Sequence, residues 1–311
     1  MYSALAGRDL LSITDLSRAD IDAVLEAGAR AKGGAHLGRP LEGRCVAMIF
    51  QRPSNRTRLS FEVAIHRLGG HPIPLFAQEI QMGERESVTD VSRILDRYLD
   101  GIVARLTSHR DLVRMAANAH APVVNAMTDR EHPCQVLADL LTVQEVTGGL
   151  DGVSVAYVGD GNNVCTSWIY AAALCGIDFR MVCPPGYEPP PAVLQAAAVL
   201  RGGDDGFLLS HDPGPVLDGA AIVYTDVWAS MGQEAEQQRR REDFAHLQVN
   251  DALVARAAPG ARVMHCLPAH RGEEITDSVL DGPRSIVFDQ AENRMWVQQA
   301  LLALVYAGAV P

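Results

Sequence analysis

Lysine is almost missing from this chain: Lys32 stands alone against 26 arginines. Genomic base composition accounts for the bias, yet the shortage constrains chemistry. A Schiff-base lysine, a P-loop lysine or a lysine base would have to be Lys32, which closes a predicted surface helix beside Gly33–Gly34. Any anion site must therefore be built from arginine and backbone N–H groups. Long apolar runs are missing too. The longest, such as Ala196–Leu200 and Ala300–Tyr306, fall well short of the roughly 20 residues that span a bilayer. The first residues place Arg8 and Asp9 among apolar neighbours, which leaves no signal-peptide core. No membrane association and a cytoplasmic location are the expectations.

Net positive charge is also lacking, at −11 with a pI near 5.3, so nucleic acid is not the expected partner. The one dense basic run, Arg239–Arg240–Arg241, is flanked by acids and reads as a solvated loop. Six cysteines, at 45, 134, 165, 175, 183 and 266, show no C-x-x-C and no paired spacing. They read as reduced thiols. His132/Cys134 with His265/Cys266 lack the spacing of a recognised zinc cluster, so no metal is expected.

What the chain does have is length and core. Its 311 residues suggest about two domains. With 48 % hydrophobic and 21 % charged residues and a mean hydropathy of +0.02, it can bury a large interior. Short apolar runs alternate with helix-length amphipathic ones, the signature of parallel α/β sheets. In the first half the strands are expected at Cys45–Phe50, Pro72–Phe76, Ile102–Leu106 and Val123–Met127, with helices near 57–68, 87–99 and 109–119. A long helix, about Pro133–Val146, ends at Gly148–Gly149. The second half offers strands at Val153–Gly159, Phe179–Cys183, Ala221–Val227, Arg262–Leu267 and Ser285–Phe288, then a helix over about Ala291–Ala307. Arg239–Asp243 and the Gln/Glu-rich stretch before it read as a mobile loop. The expected fold is α/β: two lobes, each a parallel sheet flanked by helices, joined by long interdomain helices and split near 148–152.

Ligands of open α/β sheets gather at the carboxyl ends of strands, and five such places carry unusual residues. The first is Phe50–Arg58, FQRPSNRTR, where Pro53 stops a strand and Ser54 or Asn55 can cap a helix. Open N–H groups, Arg56 and the hydroxyls of Ser54 and Thr57 make a phosphate cradle there; a plain capped helix is the blander alternative. The second is DREHPCQ, 129–135, with Pro133 suited to the first helical position and His132 at the cap, three residues from Gln135. The third is GDGNN, 159–163. Its G-x-G suggests a dinucleotide site, but Val164 occupies the third fingerprint position and no acid ends the next strand. The paired asparagines look instead like polar anchors for a ligand. The last two, TDVWASMG (225–232) and MHCLPAH (264–270), hold Asp226 and Cys266. Adjacent strand residues face opposite ways, so His265 is badly placed to serve Cys266 as a base. Arg294, at the start of the final helix, gains nothing from the helix dipole there, which favours a ligand-facing role.

Taken together, PSNRTRLSFE (53–62), HPCQVLADL (132–140), GDGNN, TDVWASMGQE (225–234), HCLPAHRGEE (265–274) and AENR (291–294) resemble the ornithine carbamoyltransferase family within the aspartate/ornithine carbamoyltransferase superfamily. The resemblance runs over nearly the whole chain, in order. It implies an enzyme that moves the carbamoyl group of carbamoyl phosphate to the δ-amine of L-ornithine, giving L-citrulline and phosphate, as in arginine biosynthesis. It implies no metal or cofactor, and a homotrimer with shared active sites. Residues 1–148 with the C-terminal helix 291–311 would bind carbamoyl phosphate, and 149–290 would bind ornithine. By the same resemblance Ser54, Asn55, Arg56 and Thr57 hold the phosphate with Arg105, and Gln81 reaches over from a neighbouring subunit. His132, Pro133, Cys134 and Gln135 meet the carbamoyl group, with Arg294 and the Cys266–Leu267 backbone completing that pocket. Asn163, Asp226, Ser230 and Met231 grip ornithine. The catalytic set so implied is Arg56, Arg105, His132, Gln135, Asp226, Cys266 and Arg294. Three departures stand out: Asn55 where Thr is usual, Thr166 where His is frequent, and Glu84–Arg85 where Arg–Gly is the common order.

Overall fold

A computed structural model describes residues 5–203, 207–229 and 234–311. The chain forms two compact units, one of Met1–Leu141 with Glu292–Pro311 and one of Thr142–Ala291.

The first unit holds α1 (Arg18–Lys32), β1 (Cys45–Phe50), α2 (Asn55–Arg67), β2 (His71–Phe76), α3 (Ala77–Ile80), α4 (Val88–Tyr98), β3 (Gly101–Arg105), α5 (His109–Ala116), β4 (Val123–Met127) and most of α6 (Pro133–Thr147). Its four strands are all parallel, in the order β2-β1-β3-β4. A parallel sheet is covered on both faces, and its central strands are accordingly almost wholly apolar. CVAMIF in β1 is buried from Val46 to Phe50, and all five residues of GIVAR in β3 are buried. Gly101 is needed for space, because a Cβ there would lie 1.6 Å from the Tyr306 hydroxyl. Serine caps open α1, α2, α4 and α5, each side chain accepting the N–H three residues on.

The second unit runs β5 (Ser154–Val158), α7 (Asn163–Cys175), β6 (Asp178–Val182), α8 (Pro191–Leu200), β7 (Phe207–Ser210), α9 (Pro213–Leu217), β8 (Ile222–Thr225), α10 (Gln237–Phe244), α11 (Asp251–Val254), β9 (Arg262–His265), α12 (Asp277–Leu280) and the start of α13 (Val287–Ala307). Five parallel strands lie in the order β7-β6-β5-β8-β9. Aromatic contacts knit one face: Tyr157 stacks on Tyr224 at 5.4 Å and Trp168 on Phe179 at 5.8 Å.

Three expectations fail in this unit. Ser285–Phe288 is not a strand: Ser285 makes a single bridge to Val263, and α13 already begins at Val287. The apolar run was too short to separate a strand from the first turn of a buried helix. Phe207–Ser210 forms a strand that the sequence reading passed over. Arg239–Asp243 lies inside the helix α10, not in a loop, and Arg240 is only 7 % exposed.

Each sheet has one point where its crossovers reverse direction: between β1 and β3 in the first unit, and between β5 and β8 in the second. Ligand sites of open sheets form beyond the strand carboxyl ends at such points.

Candidate active site

In the first unit Phe50, the last residue of β1, is in register with Arg105, the last of β3. Arg105 is in turn paired with Met127, the last of β4. The chain leaving each strand therefore starts on one line. Gln51 fixes the seam, its N–H donating to the Arg105 carbonyl at 3.0 Å and its Oε1 accepting from Thr107 N–H at 2.7 Å.

After β1, Ser54 caps α2 with its Oγ on the Thr57 N–H at 3.4 Å. Thr57 is buried, whereas Asn55 and Arg56 stand exposed on the same first turn. After β4, a tight turn closed by the Thr128 N–H on the Glu131 carbonyl (2.9 Å) delivers His132 to the start of α6. Pro133 is the first helical residue, and the His132 carbonyl takes the N–H groups of Gln135 and Val136. From α13, Arg294 Nη2 donates to Thr57 Oγ1 at 2.8 Å. Arg294 lies two turns into α13 rather than at its start, so the dipole argument made from sequence does not apply to it. What survives is its place: 3 % exposed, against α2.

His132, 5 % exposed, shows how closely these groups meet. Burial, followed by the guanidinium charges of Arg294 and Arg105, holds its pKa well below the ordinary histidine value. The imidazole is thus neutral at pH 7, within the field of both guanidiniums. Gln135 does not aim its whole amide outward: Nε2 donates to Asp139 Oδ1 at 2.8 Å, while the buried Oε1 has no partner. Cys134 bonds the Asn125 carbonyl and burial pushes its thiol up to about 12, which leaves it inert. Gln81 sits apart, exposed at the C-terminal end of α3 with φ of +46°.

The second unit repeats the plan with the opposite charge. Val158, Thr225 and His265, the last residues of β5, β8 and β9, share one register line. The next residues in the chain are Gly159, Asp226 and Cys266. Asp226, 6 % exposed, accepts the Cys266 thiol on Oδ1 at 3.0 Å and Asn162 Nδ2 on Oδ2 at 2.8 Å. Asn162 Oδ1 meanwhile caps α7 by taking the N–H groups of Val164 and Cys165. Sequence reading chose Asn163 and missed Asn162 as the residue that orients Asp226; its N-cap position was the available signal. Asn163 is the first residue of α7, its Oδ1 on the Val164 N–H. Ser230 and Met231 lie outside the described residues.

The second glycine of GDGNN has a packing cause. A Cβ at Gly161 would lie 2.4 Å from the Pro189 nitrogen, so the glycine admits the 187–189 segment rather than a pyrophosphate. Asp160 is occupied as well, by Arg240 Nη1 at 3.0 Å, a nitrogen that also donates to the Trp228 carbonyl at 2.8 Å. Burial pushes the Asp160 carboxyl up to about 6 against the pull of Arg240. Arg240 further bonds Glu236 and lies 4.9 Å over the Tyr187 ring. The run read as solvated arginines thus contains a structural anchor that its charged neighbours in sequence concealed. Asp226, His265 and Cys266 bring three donors within 4.8 Å of one another. The imidazole of His265 is already engaged at both nitrogens, by Leu267 N–H at 2.8 Å and Glu274 Oε1 at 3.1 Å.

A two-unit parallel α/β protein with an arginine-lined set of donors in one unit and a held carboxylate in the other has the parts of a group-transfer enzyme for an anionic donor and an amine. Comparison with known proteins says which. Residues 8–145 match the model of the aspartate/ornithine carbamoyltransferase carbamoyl-P binding domain, and residues 151–305 match that of the Asp/Orn binding domain. The chain belongs to the aspartate/ornithine carbamoyltransferase family. It is 49 % identical over 314 residues to an anabolic ornithine carbamoyltransferase of Pyrococcus furiosus, covering 99 % of both chains. It is 50 % identical over 304 residues to an ornithine carbamoyltransferase of Acidothermus cellulolyticus, covering 97 % of each. Among solved structures, ornithine carbamoyltransferase of P. furiosus superposes with a TM-score of 0.93 at 48 % identity, covering 99 % of this chain and all of that one. The Thermus thermophilus enzyme gives 0.86 at 43 %, covering 95 % and 97 %.

Proposed function

We propose that this chain transfers the carbamoyl group of carbamoyl phosphate to the δ-amine of L-ornithine, giving L-citrulline and phosphate, as a step of arginine biosynthesis. The observation that carries the reading is the bond from buried Arg294 to Thr57 on the capped first turn of α2, in a unit that also buries Arg105 and His132. Residues 1–148 with 291–311 bind carbamoyl phosphate, and 149–290 bind ornithine.

Ser54, Asn55, Arg56 and Thr57 take the phosphate through the open N–H groups of α2 and their own side chains, with Arg105 beside them. His132 and Arg294 donate to the carbamoyl oxygen, while Gln135 Oε1 and the backbone of Cys266–Leu267 take the carbamoyl N–H groups. His132 suits this task because it is neutral: an imidazole can hold a hydrogen toward the carbonyl without adding a third buried cation. When the amine attacks the carbonyl carbon, charge grows on that oxygen and then on the departing phosphate, and fixed donors at both places lower the barrier. Asp226, held by Asn162 and Cys266, binds the ornithine nitrogen with Asn163, Ser230 and Met231. The phosphate leaving group accepts the amine proton.

We further propose a homotrimer in which Gln81 completes a neighbouring subunit's site. Apolar side chains exposed at i, i+4 spacing support it: Leu59 and Val63 on α2 are 58 % and 38 % exposed, and Ile94 and Tyr98 on α4 are 47 % and 74 %. Among the described residues no helix is long and apolar enough to cross a membrane. The six unbridged cysteines suit the cytoplasm.

A colorimetric ureido assay with ornithine, putrescine, N-acetylornithine and aspartate side by side tests the assignment. Citrulline from ornithine, with turnover of the others lower by orders of magnitude, is the expected result. Equal or better turnover of another amine would replace ornithine in the reading. Light scattering on the purified chain reads the trimer.

A further inference from the structure

Only two non-glycine residues among those described have positive φ: Gln81 and Leu267, the latter at +58°. Such a conformation persists where surrounding contacts hold it, and the contacts around Leu267 form one connected chain. Its N–H donates to His265 Nδ1 at 2.8 Å. That nitrogen is therefore the acceptor of the ring, and the hydrogen sits on Nε2. Nε2 faces Glu274 Oε1 at 3.1 Å, with both side chains wholly buried. Glu274 Oε1 is fixed from the other side by the His270 N–H at 2.5 Å. The His265 backbone is tied as well, its N–H on Gln290 Oε1 at 2.9 Å, and Gln290 Nε2 reaches the Tyr224 hydroxyl at 3.2 Å.

The consequence lies in one peptide plane. The Leu267 N–H and the Cys266 carbonyl belong to the same trans peptide unit, so they point in opposite directions. Pinning the N–H onto His265 aims the Cys266 carbonyl away from the imidazole. That carbonyl is one of the groups assigned above to the carbamoyl nitrogen, and the present inference rests on that reading. We infer that Glu274 and His265 are positioning residues: the carboxylate selects the Nε2–H tautomer, and the bare Nδ1 holds the Leu267 amide so that the Cys266 carbonyl is presented to the substrate. An imidazolium, or the other tautomer, would put a hydrogen against the Leu267 N–H and release the turn.

Two variants divide the ring's duties. In His265→Asn, Oδ1 occupies the place of Nδ1 and still accepts the Leu267 N–H, but Glu274 keeps only the His270 N–H. In His265→Gln, the amide nitrogen reaches Glu274 but nothing meets the Leu267 N–H. Leaving that half-buried donor unmet is the costlier defect for the turn, so kcat falls by about tenfold or more in His265→Gln and by less than about threefold in His265→Asn. Thermal stability follows the opposite order, because it is His265→Asn that takes a donor from the wholly buried carboxylate. A merely structural histidine would make kcat follow stability; that result, or equal kcat in the two variants, overturns the inference. Histidine 15N spectra of the unaltered full chain give a readout that needs neither a variant that folds nor turnover. A neutral His265 with its hydrogen on Nε2 is expected, and a hydrogen on Nδ1 overturns the proposal. A chain that forms no citrulline fails the functional reading instead, whatever tautomer it shows.

Discussion

The two units place their special residues by the same rule and give them opposite charge. In the first, strand ends at Phe50, Arg105 and Met127 lead to Arg56, Arg105 and His132, and burial, then the charges of two buried guanidiniums, keep the imidazole neutral. In the second, strand ends at Val158, Thr225 and His265 lead to Asn162, Asp226 and Cys266, which surround a carboxylate with donors. Arg240, buried in that unit, is consumed by Asp160 and Glu236. The first unit thus gathers buried arginines, and the second a buried carboxylate held by donors. Opposite charge on a shared topology is how one architecture serves two unlike substrates.

The comparison breaks most visibly at Arg294. Arg294→Ala removes the guanidinium that meets Thr57 and neighbours His132. Loss of one preorganised donor at a developing charge reduces kcat by roughly 10²–10³-fold. Steady-state kinetics should show this together with a raised KM for carbamoyl phosphate and a KM for ornithine near normal. Near-normal kcat would remove Arg294 from the charge-stabilising group. The pH dependence comes next in size. A primary amine of pKa about 10.4, by analogy with lysine, is scarce in neutral form at pH 7, and its neutral fraction grows nearly tenfold per pH unit. The kcat/KM for ornithine should climb toward pH 9, and a flat profile would mean that the bound ammonium loses its proton before it enters the rate.

On the other side, Asp226→Asn keeps the shape and removes the charge. Hydrogen bonds to charged groups contribute about 1.5–3 kcal/mol, so the KM for ornithine should rise by roughly ten- to a hundredfold. The KM for carbamoyl phosphate should stay within about twofold. A variant that weakens both substrates equally would show that the two charge environments do not act on separate ligands.

Much of this division is legible in sequence, for a physical reason. β1 and β4 fall where their apolar runs lie, and PSNRTR and EHPCQ carry proline and cap residues that mark strand-to-helix turns without any tertiary information. What stays hidden depends on partners distant in the chain. Arg240 sits in QQRRRED, polar on every side, and only Asp160, 80 residues earlier, and Tyr187 reveal it as buried. Asn162 and Asn163 are indistinguishable as letters; the hydrogen bond to Asp226, 64 residues away, separates them. Ser285–Phe288 misled because three apolar residues after a serine carry no period, and α13 took them from Val287 onward.

The smallest effect tests the comparison through stability rather than rate. His132 binds a proton in the unfolded chain near pH 6.5 but in the folded chain only well below that, because burial, Arg294 and Arg105 oppose the charge. Between those two values the unfolded state holds more protons, so falling pH destabilises the fold by up to about 1.4 kcal/mol per pH unit for this one group. His109, also lowered by burial, pulls the same way. Asp160, whose carboxyl is pushed up to about 6, pulls the other way, since its folded form gains the proton first. The whole-protein slope is therefore a balance, and the useful quantity is a difference. Denaturant midpoints of the parent chain and of His132→Asn, followed from pH 7 to pH 5, should converge as pH falls. Parallel lines would mean that His132 ionises as readily folded as unfolded, and the two arginines would then not be crowding it.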